Sequence, residues 1–316
     1  MAEAHCEWLL IGIGDIARKR VLPAILAEPR SRLAGIVTRD PFKAEAWNVP
    51  AWSDLDRALA ESGADAVYIA TPVFLHAPQT IACLSAGRHV LCEKPMALNY
   101  AEACSMERAA AATGRLLGIA YYRRMYPKAR RARELMDAGA IGQPFLAEAT
   151  SHDWLRHEGF ASDWRIHPEL AGGGPLYDIA SHRIDLMNFL FGAPLRAGGR
   201  RSNLVHQIGV EDNATVWIEY ASGVRGLVDV RWHSRVPRDE FRVRGTEGEL
   251  NLTPLNGPEL AWPGGQESIA PHGNLHYPCI AEFVSAVLEG APLRSSGSSA
   301  LQTEWVIQQV MAEPAD

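Results

Sequence analysis

Two segments of the sequence carry residue types suited to acid–base chemistry. In the first, Cys-Glu-Lys-Pro at residues 92–95, the Lys94 ammonium could hydrogen-bond a carbonyl or alcohol oxygen and stabilise a developing alkoxide. The second follows three glycines at residues 172–174 and places Asp178 and His182 four residues apart. On a helix that spacing puts both side chains on one face, where a histidine beside a carboxylate can transfer a proton near neutral pH. Taken alone, each segment is also compatible with a surface ion pair or a solvated polar face.

A third segment, Ile-Gly-Ile-Gly-Asp-Ile-Ala at residues 11–17, is suited to binding phosphate. It fits the pattern G-x-G-x-x-A, in which Gly12 permits a tight turn, Gly14 lets the backbone approach a pyrophosphate, and Ala17 lets the helix pack closely. The phosphates would lie at the helix N-terminus, where free N–H groups favour anions. Asp15 is interpreted as the N-cap of that helix. The predicted contacts of this loop to a dinucleotide are Gly12, Gly14, Asp15 and Ile16.

The residues after the second predicted strand bear on the choice of dinucleotide. An acidic side chain there would bind the ribose 2′-hydroxyl and repel a 2′-phosphate. The sequence instead has Thr38 followed by Arg39, and a guanidinium can grip a phosphate bidentately. One charge-assisted hydrogen bond contributes roughly 1.5–3 kcal/mol, which favours NADP(H) and leaves NAD(H) open. Asp40 could weaken this preference, but it is interpreted as the cap of a helix beginning at Pro41.

The elements that must position these residues alternate between strand and helix over the first part of the chain. This rhythm implies a parallel sheet covered on both faces, and residues 1–121 are predicted to form a doubly wound α/β dinucleotide-binding domain of the Rossmann type. Strands are predicted at 8–13, 33–37, 66–70, 89–92 and 116–121, and helices at 16–26, 55–59, 76–86 and 100–112.

The rhythm changes after residue 121, and residues 122–316 are predicted to form an α+β domain with a large, mostly antiparallel sheet. Hairpin turns are predicted within two pairs of strands, between 215–220 and 226–232 and between 241–244 and 249–252. Strands are predicted at 145–153, 215–220, 226–232, 241–244 and 249–252, helices at 127–138, 175–191, 276–288 and 301–311, and loop with weak strand at 254–273.

Bulk properties exclude several classes of protein. The chain has 316 residues, more than one ordinary core holds, and its net charge of -6 offers no electrostatic case for binding nucleic acid or an anionic membrane. Five cysteines without a C-x-x-C pair argue against a disulfide framework and favour a reducing compartment. Because the N-terminal apolar run leads into glycines and no run approaches the ~20 residues of a membrane span, a cytoplasmic location is expected.

The motifs together resemble one known family. Glu-Lys-Pro after the strand at 89–92, followed by G-G-G-x-L-x-D-x-x-x-H-x-I-D from residue 172, is similar to the glucose-fructose oxidoreductase/inositol dehydrogenase (Gfo/Idh/MocA) family. The resemblance extends from about residue 8 to about residue 290. It implies a Rossmann domain and an α+β domain whose open sheet often mediates oligomerisation, so a homo-oligomer, a dimer or tetramer, is expected. Supporting matches are A-T-P at 70–72, A-G-R-H-V-L-C-E-K-P at 86–95, Y-Y-R-R-M-Y-P at 121–127, G-A-I-G-Q-P at 139–144 and G-T-E-G at 245–248.

The resemblance also implies roles for individual residues. Lys94 would polarise the reacting oxygen, His182 would exchange its proton, and Asp178 would orient the substrate and tune His182. The Lys94–Pro95 bond would be cis. Further cofactor contacts would come from Glu93 at the nicotinamide ribose, from Lys94 beside it, from Thr71 and Pro72 bordering the nicotinamide, and from His76 lining the same cleft.

Candidate contacts to the substrate are Tyr122, Trp164 and Arg165, because aromatic faces suit the C–H surfaces of sugars and arginine suits acid groups. Core packing is the alternative for the aromatic residues. Histidines 152, 157 and 167 match no common zinc spacing, so no metal is expected. His272 and His276 are assigned no function.

These residues favour an NADP(H)-dependent oxidoreductase that transfers hydride to or from a sugar, polyol or related hydroxy or keto substrate. A glycosidase of the same fold that recycles bound NAD is an alternative, and residues 93–95 do not discriminate between the two. A non-enzymatic dinucleotide sensor is a second alternative, although a sensor would need only the loop at residues 12–17.

Overall fold

The computed structural model describes residues 4–155 and 164–314. These residues form two compact units. The first unit holds residues up to 97, 101–122 and 272–301, and the second holds the described residues among 98–100, 123–271 and 302–314.

The first unit is built on a sheet in which every pair of neighbouring strands is parallel. Its strands are β1 (Cys6–Ile11), β2 (Ser31–Val37), β3 (Ala51–Trp52), β4 (Ala66–Ile69), β5 (His89–Cys92) and β6 (Leu117–Ile119). The order β3-β2-β1-β4-β5-β6 is that of a doubly wound dinucleotide-binding sheet, with its reversal between β1 and β4. This confirms the predicted fold class; only β3, two residues long, was not predicted.

Helices cover this sheet and the sheet of the second unit. Within the described residues, none of them is both long and apolar enough to cross a lipid bilayer. The helices are α1 (Leu22–Ala27), α2 (Leu55–Glu61), α3 (His76–Ser85), α4 (Tyr100–Thr113), α5 (Pro127–Asp137), α6 (Pro168–Ala171), α7 (Ser181–Phe191), α8 (Tyr277–Glu289) and α9 (Gly297–Ala312).

The strands of the first sheet are mostly apolar because both faces of the sheet are buried over most of its area. Along β1, Leu9 and Ile11 enter one core, whereas Trp8 and Leu10 enter the other. Residues of α2, α3 and α4 complete the first core, and residues of α1 and α8 complete the second. Period-two alternation is therefore absent, as expected for a parallel sheet buried on both sides.

The predicted boundary between the domains needs a correction. Residues 122–316 were assigned to one domain, but residues 272–301 pack with the first unit. Helix α8 explains this, because Phe283 is 1% exposed and its ring centroid lies 5.5 Å from that of Trp8. On this face of the sheet, α1 and the turn before it share one apolar core with α8, so a distant segment completes the cover.

The second unit is built on a mixed sheet that is mostly antiparallel, as predicted. Its strands are β7 (Pro144–Trp154), β8 (Pro194–Ser202), β9 (Asn213–Tyr220), β10 (Arg225–Arg231), β11 (His233–Gly245), β12 (Gly248–Asn251), β13 (Glu259–Trp262) and β14 (Gly265–Ser268). They lie in the order β14-β13-β12-β11-β7-β10-β9-β8, and only the β7–β10 pair is parallel. Strand β8 was not predicted, whereas β13 and β14 lie in the stretch at 254–273 that was predicted to be loop with weak strand.

The two faces of this second sheet differ in exposure. Val216 and Val228 are fully buried on the face that packs against helices, whereas Trp217 and Leu227 on the opposite face are 43% and 41% exposed. This alternation along β9 and β10 is the period-two signal from which both strands were predicted.

Helix α5 carries a lysine that is buried without a salt bridge to a carboxylate in the described part of the chain. Lys128 is 1% exposed, and its Nζ donates to the carbonyl oxygens of Leu252 at 2.9 Å and Pro254 at 2.6 Å. Burial lowers the pKa of Lys128 from 10.5 to about 8, although the charges of Asp239 and Glu259 oppose that shift.

We expect this lysine to make the free energy of unfolding depend on pH in the alkaline range. Between pH 8 and 10.5 the unfolded chain binds the Lys128 proton more tightly than the folded chain, so the free energy of unfolding rises with pH. The rise is about 3 kcal/mol across that range. Urea unfolding of wild type and Lys128→Met at several pH values isolates it, because other groups titrate alike in both proteins. Parallel stability curves would contradict the expectation.

Candidate active site

The glycine loop after β1 has the geometry that its sequence predicts. Gly12 has φ +89°, and a Cβ there would lie 2.8 Å from the Ala70 carbonyl oxygen, so no larger residue fits. Its N–H donates to the Val37 carbonyl oxygen at 2.9 Å, which holds the turn against β2. Gly14 is exposed, and a Cβ there would meet no atom within 4 Å, which leaves its backbone accessible to a ligand.

The helix after this loop begins at Asp15 and contains a π-helical turn, Ala17–Val21, in which the Leu22 N–H reaches the Ala17 carbonyl oxygen. Such turns occur frequently at functional sites. Among the described residues, no side chain caps this helix, so its first N–H groups remain available to an anion. Ala17 is fully buried, as the predicted close packing requires.

The interpretation of Asp15 as the helix cap is wrong. Its carboxylate lies 2.7 Å from the side-chain nitrogens of both Arg18 and Lys19. The hydrogen bonds from Lys19 and Arg18 lower the pKa of this carboxyl. Because the Asp15 side chain is 63% exposed, it can turn away from the loop, and its charge is offset by the two cations.

The two glycines predict different responses to alanine. Gly14→Ala should leave the free energy of unfolding unchanged, because its Cβ meets nothing, yet weaken NADPH binding about tenfold if the pyrophosphate lies against this backbone. Isothermal titration calorimetry and urea unfolding measure the two effects. Gly273→Ala is the matched control, since a Cβ there also meets nothing within 4 Å. Equal NADPH affinity in Gly14→Ala and Gly273→Ala would show that the loop does not contact the dinucleotide.

The residues after β2, which are predicted to lie near the adenosine ribose, differ in how accessible their side chains are to a ligand. Thr38 is 9% exposed, and its Oγ1 accepts from the Asp40 N–H at 3.3 Å. The neighbouring Arg39 is exposed. Asp40 occupies the N-cap position of a 3-10 helix, Pro41–Trp47, but its side chain makes no capping hydrogen bond, so that interpretation is wrong. Its carboxylate lies 3.9 Å from the Lys43 ammonium instead.

The residues after β4 are joined to those after β5 by a histidine. His76 is 1% exposed, and its Nε2 and Nδ1 each lie 2.9 Å from a carbonyl oxygen, those of Thr71 and Pro95 respectively. Burial lowers the pKa of His76, while the two carbonyl groups oppose the shift. The Thr71 hydroxyl donates to Gln79 Oε1 at 2.7 Å, and Pro72 follows directly. The structure therefore shows His76 as a link between two segments, whereas its direct contact with cofactor stays a prediction.

The turn after β5 holds a buried carboxylate beside the candidate catalytic lysine. Glu93 is 7% exposed, and its Oε1 accepts from the Tyr68 hydroxyl at 2.8 Å and lies 3.0 Å from His276 Nε2. Its Oε2 accepts from the Lys94 N–H at 3.2 Å. The Lys94–Pro95 bond is cis, as the resemblance implied.

In the second unit, the three-glycine segment is shaped by its neighbours. A Cβ at Gly172 or Gly173 would lie 2.5 Å from the Tyr177 ring, and one at Gly174 would lie 2.1 Å from the Glu211 carbonyl oxygen. The glycines are therefore required for close packing at this helix start, and not for flexibility alone.

The same helix start is capped by a residue that sequence reasoning missed. The Glu211 carboxylate accepts from the N–H groups of Gly174 at 2.8 Å and Leu176 at 3.1 Å. Burial raises the pKa of Glu211, an effect that these backbone donors oppose. A cap separated by 35 residues from its helix leaves no local spacing signal, so no sequence motif could have revealed it.

Asp178 and His182 follow this cap. Asp178 lies in a second π-helical turn, Leu176–Ala180, and is partly exposed. His182 lies in the first turn of α7 and is 4% exposed. Three residues further along, Asp185 is fully buried and accepts from Arg124 Nε at 2.7 Å and Nη2 at 2.5 Å. This buried pair fixes the helix that carries both candidate residues.

The predicted substrate contacts are distributed over both units. Tyr122 belongs to the first unit, where its ring centroid lies 4.9 Å from that of His276. In the second unit, the Arg165 guanidinium lies over the Trp164 ring, 4.9 Å from its centroid. Lys94 belongs to the first unit, and Asp178 and His182 to the second. Of the histidines weighed for a metal, residue 157 lies outside the described residues.

The fold and the glycine loop define a dinucleotide-binding protein. Residues 6–121 match the model of an oxidoreductase family with an NAD-binding Rossmann fold, and residues 129–251 match that of the GFO/IDH/MocA C-terminal domain. The chain therefore belongs to the Gfo/Idh/MocA family. It is an NAD(P)-dependent oxidoreductase that acts on hydroxyl or keto groups.

Characterised relatives extend over most of the chain. It is 30% identical to 1,5-anhydro-D-fructose reductase of Ensifer adhaerens, with 89% of this chain and 88% of that protein covered. It is 31% identical to D-xylose 1-dehydrogenase (NADP(+)) 2 of Haloferax volcanii, with 78% and 75% covered. Among solved structures, aldose-aldose oxidoreductase from Caulobacter crescentus, complexed with glycerol, is 25% identical and superposes with a TM-score of 0.87 over 96% of each chain.

Proposed function

We propose that the protein is an NADP(H)-dependent oxidoreductase that transfers hydride to or from a sugar, polyol or related hydroxy or keto compound. One observation carries the proposal. Gly12 follows β1, Thr71 follows β4 and Lys94 follows β5, and these strands are neighbours in one parallel sheet. Since ligands of such sheets bind at the carboxyl ends of the strands, Lys94 lies at the edge that receives the dinucleotide.

The residues of the chain would take the following roles in the reaction. The bound dinucleotide would supply or accept the hydride. In the reductive direction, the Lys94 ammonium would hydrogen-bond the substrate carbonyl oxygen and stabilise the alkoxide as it forms. His182 would then donate a proton to that oxygen, and Asp178 would orient the substrate and hold the imidazole. In the oxidative direction the same groups would act in reverse.

The names of the relatives support the substrate class. A reductase of 1,5-anhydro-D-fructose and a dehydrogenase of D-xylose both act on sugars, and the aldose-aldose oxidoreductase does so by its name. The aromatic–cation pair of half-buried Trp164 and exposed Arg165 suits a hydroxylated substrate with an anionic substituent.

The preference for NADP(H) is supported by Arg39. Because the Thr38 hydroxyl is engaged with the Asp40 backbone, we expect the exposed guanidinium to provide most of the contact with a 2′-phosphate. Arg39→Ala should therefore weaken NADPH binding by about ten- to a hundredfold and leave NADH binding within about twofold. Fluorescence titration with each nucleotide measures this. Arg32→Ala, an exposed arginine on β2, is the control. Equal losses for both nucleotides would contradict the preference.

The direct test is a panel of aldoses, ketoses, polyols and sugar acids, each monitored at the absorbance band of reduced nicotinamide with NADPH and NADH in parallel. Stoichiometric consumption of NADPH by one substrate class supports the proposal. Release of sugar from glycosides with no net absorbance change would instead support a glycosidase. Nucleotide binding without turnover across the whole panel would support a sensor.

We also propose that the enzyme works as a homo-oligomer, a dimer or tetramer, in the cytoplasm. The exposed apolar residues Trp217 and Leu227 on one face of the second sheet support self-association through that face. Light scattering at micromolar concentration tests this, and a monomer mass would contradict it.

A further inference from the structure

We propose that His276, which sequence reasoning left without a function, is the positioning residue for Glu93 and, through it, for Lys94. The inference rests on the proposed function in one respect, namely that Lys94 acts on the substrate oxygen. The contacts that carry it lie within the first unit.

The first observation is the way the Glu93 carboxylate is held. Its Oε1 accepts from Tyr68 of β4 and contacts His276, the residue before α8, at 2.8 and 3.0 Å. Its Oε2 accepts from the Lys94 N–H at 3.2 Å. One carboxylate thus ties together a strand, the start of a helix from the far end of the chain, and the turn that carries the lysine.

The second observation is burial. His276 is 3% exposed and Glu93 is 7% exposed. Burial opposes ionisation of the Glu93 carboxyl, but the hydrogen bond and charge of His276, followed by Tyr68 and Lys94, hold its pKa below the usual value. An ionised Glu93 accepts only, so Nε2 of His276 must be the donor. Among the described residues none hydrogen-bonds the buried Nδ1, so the contact of Nε2 with Glu93 is the polar contact of this ring.

The third observation is that the imidazole has a second neighbour in the candidate site. Its ring packs on Tyr122, with centroids 4.9 Å apart and planes inclined by 42°. Tyr122 is a predicted substrate contact and is half-buried. Movement of the imidazole would therefore disturb both Tyr122 and the carboxylate beside Lys94.

Capping of α8 does not account for the imidazole. The His276 side chain makes no capping hydrogen bond among the described residues, and the His276 N–H instead donates to Asn274 Oδ1 at 3.0 Å. Substitution of the ring thus leaves the cap of the helix intact. What the ring contributes is its contact with Glu93 and with Tyr122.

The variants separate these contacts. His276→Phe keeps a ring against Tyr122 but removes the donor to Glu93, whereas His276→Gln restores an N–H donor. His272→Phe is the matched control, because this exposed histidine lies four residues earlier in the same unit. If His276→Phe does not fold, His276→Asn replaces it, since the shorter amide cannot reach the carboxylate.

Two readouts are expected to change. In His276→Phe the kcat for the best substrate should fall by about 10- to 100-fold, as expected for a misplaced catalytic group, while the Kd for NADPH changes by less than about threefold. The acid limb of kcat/KM should move to higher pH, because Glu93 loses the donor that lowers its pKa. His276→Gln should recover most of both losses, and His272→Phe should match wild type.

A measurement without substrate keeps this inference separate from the proposed function. Isotope-edited infrared titration of the glutamate carboxyls, with Glu93→Gln to assign the band, should show a raised Glu93 pKa in His276→Phe but not in His272→Phe. The ionisable groups that face this carboxylate are Tyr68, His276, Lys94 and His76. An unchanged band, or wild-type turnover in folded His276→Phe, would overturn the inference. If the wild-type protein turns over no substrate, the proposed function of Lys94 is wrong. The infrared titration of Glu93 then still tests whether His276 positions that carboxylate.

Discussion

Lys94→Met should lower kcat by about 10²- to 10³-fold with the Kd for NADPH nearly unchanged. The substitution keeps the length of the side chain but removes the donor that would stabilise the alkoxide, and loss of one such donor typically costs that much. The lysine lies directly after β5, and its backbone N–H, which the substitution keeps, donates to the buried Glu93. Steady-state kinetics with the best substrate of the panel, together with NADPH titration, measure the two quantities.

Lys43→Met is the control, because Lys43 is exposed and lies in the 3-10 helix after β2. It should match wild type in both measurements. If Lys94→Met instead raised only KM, the lysine would bind substrate without stabilising the transition state. Unchanged kinetics would remove it from the reaction altogether.

Asp185→Ala should lower the free energy of unfolding by about 3–5 kcal/mol. It leaves the Arg124 guanidinium, 3% exposed, without the carboxylate that it grips at 2.7 and 2.5 Å, and an uncompensated buried charge costs about this much. Turnover should fall as well, since Asp185 fixes the helix that carries His182. Urea unfolding followed by circular dichroism measures the stability.

The exposed pair of Asp137 and Arg133, 3.4 Å apart, is the control for Asp185→Ala. Asp137→Ala should change the free energy of unfolding by less than about 1 kcal/mol. The double variant Arg124→Met/Asp185→Leu should recover most of the stability, because it removes both charges. A loss below 1 kcal/mol in Asp185→Ala would show that water or another group compensates Arg124.

Much of the first unit could be predicted from sequence because its signals are local. The apolar runs that became β1, β4 and β5 are continuous since both faces of the sheet are buried, and they end at Gly12, at Thr71-Pro72 and at Glu93-Lys94-Pro95. The cis bond at Lys94–Pro95 was predicted from the family resemblance. In the second unit, β9 and β10 could also be predicted, because apolar and polar residues alternate along them.

The remainder depends on contacts between distant residues. His276 lies 183 residues from Glu93 in sequence, and Glu211 lies 37 residues from Gly174, so neither contact produces a pattern in a short window. The predicted cap at Asp15 was wrong for another reason. Asp15 has cations three and four residues along its own helix, and their attraction prevails over a hydrogen bond to the backbone.

The return of α8 to the first sheet has a consequence for biosynthesis. Trp8, Tyr68 and Leu91, from three different strands, are at most 3% exposed, and Ile280 and Phe283 belong to the core that buries them. A nascent chain that has emerged as far as residue 122 would present this apolar face to solvent until about 160 further residues leave the ribosome. At roughly 5–20 residues per second, that interval lasts about ten seconds or more, long enough for chaperones to bind the waiting surface.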